Sequence, residues 1–240
     1  MNTPAKHAAA QAIVARIPNQ AQLCVGEGST VRLVLEALAE RIAHEQLTIS
    51  AVSASEEMGE RCLQAGLTRV ELAQANAVTL GFDGADEIDP HGNLIKGGGG
   101  HLFREKILAE HCRRQQAPWL VVVDSSKPVE RLGTTFDLPI EIDPWSEPII
   151  EAELTRLGAQ TIRLRQQDQG PFVTSGGHYL LDVRFSPETS LDNAFAQQLK
   201  ALTGVVEHGL FTHHTTEVLI GHDDGRVQHW IPAQEAAPWL

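Results

Sequence analysis

Apolar positions in the first half of the chain alternate between two rhythms. Leu23–Val25 is a short apolar run that leads into Gly26-Glu27-Gly28-Ser29-Thr30. Val31, Val34, Leu35, Leu38 and Ile42 then recur on one face of a 3.6-residue period, which predicts a helix. Leu47–Val52 reads as a strand, and Ser55–Ala65 as a helix stopped by Gly66. Ala77–Phe82 is the next strand and ends at Asp83. Leu102–His111 reads as a helix and Leu120–Val123 as a buried strand. Ahead of all these, residues 3–16 have the pattern of an ordinary amphipathic helix and lack the layout of a signal peptide. Strand and helix alternation of this kind predicts a parallel sheet with helices on its faces. Ligands of such sheets sit beyond the carboxyl ends of the strands. Polar segments follow Val25, Phe82 and Val123, each at a predicted strand end.

The rhythm changes near Leu132–Leu138. Pro139–Ile142 reads as a strand, and Ser146 is placed to cap a helix through about Leu157, with Gly158 beyond it. Thr161–Arg165 and His178–Phe185 read as strands on either side of a turn at Gln167–Gly170. Leu191–Leu202 is an amphipathic helix ended by Gly204, and Val205–Phe211 is strand-like. The order β-α-β-β-α-β is that of a small ferredoxin-like unit. The expected fold is therefore α/β: a Rossmann-like parallel-sheet domain (1–131 plus 208–240) with an inserted smaller ferredoxin-like α+β domain (132–207). Glu217–Gly221, an Asp-Asp-Gly turn at 223–225 and Val227–Ile231 return the chain to the first domain.

Composition narrows the function. A formal net charge of −12 over 240 residues disfavours nonspecific binding to nucleic acid or to an anionic membrane. No apolar run reaches membrane-spanning length. Cys24, Cys62 and Cys112 are scattered and include no CxxC, so neither a disulfide framework nor a zinc site is expected, and a reducing cytoplasm fits. Lysine is confined to Lys6, Lys96, Lys106, Lys127 and Lys200. Lys96 and Lys127 lie inside polar motifs, where an anionic ligand would find its counter-charge.

The densest chemistry lies between Asp83 and Lys106, DGADEIDPHGNLIKGGGGHLFREK. Asp83 and Asp86 follow a strand at a spacing that can aim both into one cleft; alternatively they serve a turn. The spacing does not fit an EF-hand. Lys96 with Gly97, Gly98, Gly99 and Gly100 precedes a helix and reads as an anion or oxyanion nest rather than a linker. Glu105, one turn into that helix between Arg104 and Lys106, read alone is a solvated residue in a charged run. In Gly26–Thr30 the glycines allow close backbone approach, and Ser29 and Thr30 offer hydroxyl and N–H groups at a helix N-terminus. This loop is neither a Walker loop nor a full GxGxxG. Asp124-Ser125-Ser126-Lys127 is a third polar strand end. The histidines at 208, 213, 214 and 222 show no metal-ligand spacing, and no GxSxG is present.

Taken together, GEGST (26–30), AVSAS (51–55), DGADEID (83–89), LIKGGGG (94–100), REK (104–106), DSSK (124–127), LPIEI (138–142) and TGVVEHGLF (203–211) resemble ribose-5-phosphate isomerase of the A type, in family order and over roughly residues 5–225. The resemblance implies an aldose–ketose isomerase of the pentose phosphate pathway acting on D-ribose 5-phosphate and D-ribulose 5-phosphate, with neither metal nor organic cofactor. It implies Glu105 as proton acceptor, Asp83 and Asp86 as active-site carboxylates, and Lys96 as a sugar-phosphate contact and oxyanion donor. It further implies substrate contacts from Glu27, Gly28, Ser29, Thr30, Gly84, Ala85, Gly97, Gly98, Gly99, Lys127 and Lys6. A homodimer or homotetramer in the cytoplasm is expected. An alternative is a non-catalytic sugar-phosphate-binding protein of the same fold; an amino-sugar-phosphate deaminase and a dinucleotide oxidoreductase are disfavoured by the motifs.

Position 27 departs from the family's usual GTGST loop. A carboxylate about 4 Å from a phosphate would cost on the order of 4 kcal/mol at an effective dielectric of 20. Glu27 is therefore expected to turn away, to pair with a cation such as Lys6, or to weaken phosphate binding. Cys24 stands where the family often has a smaller residue. The 228–240 tail exceeds the usual end, and Trp230 and Trp239 are expected to pack on a surface or a subunit.

Overall fold

The computed structural model describes residues 4–232 and residue 237. In chain order the elements are α1 (Pro4–Val14), β1 (Gln22–Val25), α2 (Ser29–Glu45), β2 (Ser50–Ser53), α3 (Glu56–Gln64), β3 (Thr68–Arg69), β4 (Leu80–Asp83), β5 (Glu87–Ile88), β6 (Leu94–Ile95), α4 (Leu102–Arg114) and β7 (Trp119–Asp124). These are followed by β8 (Leu138–Ile142), α5 (Glu147–Arg156), β9 (Ala159–Leu164), β10 (Gln166–Gln167), β11 (Gly170–Pro171), β12 (Tyr179–Phe185), α6 (Asn193–Lys200), β13 (Val205–His208), β14 (Leu210–Phe211), β15 (Glu217–Gly221) and β16 (Val227–Trp230). The chain divides into two compact units: residues 1–85, 104–128 and 214–240, and residues 86–103 and 129–213.

The first unit is built on a seven-stranded sheet in the order β16-β15-β7-β4-β1-β2-β3. All neighbours are parallel except β15 and β16. Every residue of Trp119–Asp124 is buried, as a central strand covered on both faces requires. Val34, Leu38 and Ile13 bring α1 and α2 onto the same core as Leu23, Phe82 and Leu120. The parallel sheet and its helices are those the alternating pattern predicts. Trp230 of the tail is buried in this unit; Trp239 lies outside the described residues.

The second unit contains a four-stranded antiparallel sheet ordered β13-β8-β12-β9. With α5 and α6 this is the predicted β-α-β-β-α-β arrangement. Its core joins Leu138, Ile140 and Ile142 to Leu154, Val183 and Leu199. Residues 86–103 belong to this unit because β5 and β6 form a small sheet with β14.

Two local expectations change. Val205–Phe211 is not one strand. At Gly209 the chain passes from β8 to β6: its N–H donates to Pro139 O (2.7 Å) and its carbonyl accepts from Lys96 N–H (2.9 Å). Ser146 stands at the start of α5 but does not cap it with its side chain. A 3₁₀ turn at Pro144–Ser146, capped by Asp143, carries Ser146 into helical geometry, and its hydroxyl donates instead to Asp143 O (2.7 Å).

Glu87, in the middle of the acidic motif, is a brace. It is fully buried and accepts from Gly133 N–H (2.6 Å), Thr135 Oγ1 (2.7 Å), Phe136 N–H (2.7 Å) and Thr135 N–H. Glu87→Gln puts an NH₂ where one acceptor stood and is expected to cost about 2–3 kcal/mol of unfolding free energy. A denaturation midpoint unchanged by the substitution would show that these bonds contribute nothing net.

Candidate active site

β7, β4 and β1 are neighbours in the sheet, and their carboxyl ends carry three of the polar motifs. The chain leaves β1 at Gly26, whose N–H donates to Phe82 O (2.9 Å) on β4. A Cβ at Gly26 would stand 2.0 Å from Asp83 Cγ. Only hydrogen fits there, so the Asp83 carboxylate lies directly on the loop backbone. Asp83 is fully buried, and its Oδ1 accepts from Glu27 N–H (3.1 Å) and Gly84 N–H (2.7 Å). Ala85 follows, half-buried. Gly28 has φ 108°, a left-handed value that favours glycine, and occupies the N-cap position of α2. No side chain caps α2 there. Gly28 and Ser29 are exposed and Thr30 is buried, so the first turn of α2 presents N–H groups and the Ser29 hydroxyl.

Glu27 takes the first of its three expected courses. Its side chain turns away into the protein and is 7% exposed. One carboxylate oxygen accepts from Ser55 Oγ and the other from Gly28 N–H (3.2 Å). Ser55 in turn caps α3 by accepting from Met58 N–H (2.9 Å). Lys6 pairs elsewhere: it donates to Ser29 Oγ (3.0 Å) and stands 3.9 Å from Asp124 Oδ2. Burial opposes ionisation of Asp124. The Ser126 hydroxyl and N–H, with Lys127 and Lys6, outweigh that and hold its carboxyl below the usual value. Lys127 N–H donates to Asp124 O (3.2 Å). Lys6, Ser29 and the DSSK segment therefore meet at one strand end.

Glu105 lies in the first turn of α4 and is only 4% exposed, while Arg104 beside it is exposed. The solvated reading of this glutamate does not hold: the helix turns it inward, while Arg104 is exposed and Lys106 is half-buried. The thiols are chemically quiet. All are buried; the hydrogen bond with Cys112, followed by burial, pushes Cys24 up, and burial followed by the Glu27 charge pushes Cys62 up to about 12.

In the second unit the glycine loop is held from both sides of its backbone. Asp86 Oδ2 accepts from Gly98 N–H (2.9 Å). Arg165 donates to the carbonyls of Gly97 (2.8 Å) and Gly98 (3.2 Å) and pairs with Asp182. Gly99 is exposed. Lys96 is 4% exposed, with its ammonium 5.7 Å from the centre of the Phe211 ring. Among the described residues no group of three or more His, Cys, Asp and Glu side chains is placed to hold a metal ion.

Comparison with known proteins settles the family. The sequence profile for ribose 5-phosphate isomerase A (phosphoriboisomerase A) matches residues 50–225. This chain belongs to the ribose 5-phosphate isomerase A family. Ribose-5-phosphate isomerase A of Staphylococcus haemolyticus is 38% identical over 88% of this chain and 90% of its own length. The Rhizobium meliloti member of the family is 40% identical over 90% of this chain and 93% of its own length. The solved ribose 5-phosphate isomerase A of Methanocaldococcus jannaschii superposes with a TM-score of 0.84 at 32% identity, covering 94% of this chain and 97% of that one. A D-ribose-5-phosphate isomerase solved in complex with phospho-erythronic acid gives a TM-score of 0.88 at 28% identity, covering 96% and 100%.

In this member of the ribose 5-phosphate isomerase A family, sequence reasoning passed over three residues that hold the candidate segments, two in the first unit and one in the second. Ser55 lay in the AVSAS motif and at the start of a predicted helix, but nothing linked it to Glu27. Asp124 was visible as a strand-end carboxylate, not as the partner of Lys6. Arg165 is separated from the glycine loop by 68 positions, and no local pattern could join them.

Proposed function

We propose that this chain is an aldose–ketose isomerase that interconverts D-ribose 5-phosphate and D-ribulose 5-phosphate through an enediolate, in the non-oxidative pentose phosphate pathway. Family membership over most of the chain supports the activity, and the burial of Glu105 carries the mechanism. A carboxylate withdrawn from water between an exposed arginine and a lysine is suited to taking a carbon-bound proton. In this reading Glu105 takes the proton from C2 and returns it to C1, a step worth about 10²–10⁴-fold in rate. Asp83 takes the proton of the C1 hydroxyl and delivers it to the ring oxygen as the furanose opens. The α2 N-terminus, with Gly28, Ser29 and Thr30, receives the phosphate, with Lys6 and Lys127 supplying positive charge. Lys96 and the N–H groups of Gly97 and Gly99 stabilise the developing oxyanion, with Gly98 held by Asp86, and Asp86 binds sugar hydroxyls through its remaining acceptor capacity; these roles rest on the motif match. The proposed assembly is a homodimer or homotetramer and the proposed compartment the cytoplasm; among the described residues no helix is long and apolar enough to cross a membrane.

The non-catalytic alternative drew only on Glu27, and that side chain is bonded to Ser55 rather than aimed at a ligand. Incubation with ribose 5-phosphate, with and without EDTA, tests the reading. Ribulose 5-phosphate is expected at the same rate in both tubes. No product in either would end the isomerase assignment, and loss with EDTA alone would end the metal-free mechanism.

A further inference from the structure

We propose that Glu27 is a positioning residue for ring opening, acting through Asp83 rather than on the phosphate. The inference rests on the isomerase reading above. Glu27 holds its neighbours in two directions. Its N–H donates to Asp83 Oδ1 (3.1 Å), and its side chain folds back to accept from Gly28 N–H (3.2 Å) and Ser55 Oγ. Burying a carboxylate is costly unless it is hydrogen-bonded, and here both oxygens are engaged. Ser55 is satisfied in both capacities, since its one proton goes to Glu27 while its oxygen accepts from Met58 N–H. The carboxylate is thus tied to the capped end of α3, and the peptide of residue 27 gains a fixed orientation.

That orientation matters because the Glu27 N–H is one of two backbone donors on the same oxygen of Asp83. Gly26 leaves no space between the loop and the carboxylate, and the Glu27 and Gly84 N–H groups both reach the same oxygen, Oδ1. Ring opening needs that carboxylate in register with two substrate oxygens. The C1 hydroxyl gives its proton to Asp83, its electron pair forms the C1 carbonyl, the bond from C1 to the ring oxygen breaks, and the ring oxygen takes the proton back from Asp83. Asp83 ends unchanged, so its whole contribution is placement. A small hydroxyl residue at position 27 lacks the reach of a glutamate; the long side chain supplies a brace that the commoner loop does not have.

The test compares Glu27→Ala and Glu27→Gln with the unaltered chain, alone and in an Asp83→Asn background. Turnover of ribose 5-phosphate is read alongside the inhibition constant of phospho-erythronic acid, an acyclic phosphate that needs no ring opening. Glu27→Ala is expected to lower kcat/KM by about 10- to 100-fold, the scale of a catalytic group displaced by an ångström. The inhibition constant should stay within roughly twofold, and Asp83→Asn should mask the loss. Glu27→Gln, nearly isosteric and able to accept through one oxygen, should fall between and guards against a misfolded alanine variant. The proposal is overturned by an inhibition constant that rises in step with KM, by unaltered kcat/KM, or by losses that multiply with that of Asp83→Asn. Failure of the unaltered chain to turn over ribose 5-phosphate would instead defeat the isomerase reading.

Discussion

Glu105→Gln is expected to reduce kcat by about 10²–10⁴-fold while KM changes little. Glutamine keeps the shape and hydrogen-bonding reach of the side chain, so the fold and the bound complex should survive; only the ability to accept a carbon-bound proton is removed. Solvent exchange at C2 of ribose 5-phosphate should vanish with turnover, since both need the same transfer. Glu105→Asp preserves the carboxylate but withdraws it by one methylene, and a retreat of about 1 Å costs on the order of 10²-fold. Near-normal turnover in Glu105→Gln would take the base assignment away from this residue. The prediction leans on a fact the sequence could not supply: Glu105 is 4% exposed within a run of charged residues.

Gly26→Ala should be nearly as damaging, by a different route. Gly26 does not have a left-handed backbone, so alanine brings no conformational strain. The conflict is steric: the new methyl would sit 2.0 Å from Asp83 Cγ and 2.3 Å from both carboxylate oxygens. The carboxylate must move off the N–H groups of Glu27 and Gly84, and overpacking of this kind costs about 1–3 kcal/mol. If Asp83 performs the proton transfer of ring opening, kcat/KM should fall by about 10²-fold or more. Thermal unfolding and steady-state rates measured together check both parts. In an Asp83→Asn background, with the catalytic contribution already removed, Gly26→Ala should lower activity little further; independent, multiplying losses would show that the glycine acts otherwise.

Much of the first unit was legible because its signals are local. A parallel strand covered on both faces is a continuous apolar run, and Leu120–Val123 could be read as one. Gly66 marks one end of α3 by its backbone freedom and Ser55 the other by its side-chain cap. The polar segments after Val25, Phe82 and Val123 followed from the rule that parallel sheets present ligands at carboxyl ends. What stayed hidden was long-range. Whether Glu105 faces inward depends on which side of α4 the unit covers, and a charged triplet gives no period from which to infer it. Asp83 ends β4 and Glu87 opens β5 within one acidic motif, yet Glu87 bonds to a turn 46 to 49 positions away. Glu27 left three courses open, and the choice among them was made by Ser55, 28 positions on. The break at Gly209 was invisible because a strand that changes partners keeps the same apolar content.

The loop at 97–100 illustrates what tertiary bonding does to a flexible sequence. Four consecutive glycines would normally lose more backbone freedom on being ordered than any other tetrapeptide. Here Asp86 fixes the loop from its N–H side and Arg165 from its carbonyl side, so that loss is incurred once, when the chain folds. A ligand arriving at the Gly97 and Gly99 N–H groups would find the loop already immobile and would not have to organise it at each encounter. The guanidinium on the carbonyls also polarises the same peptide groups, which makes their N–H ends stronger donors.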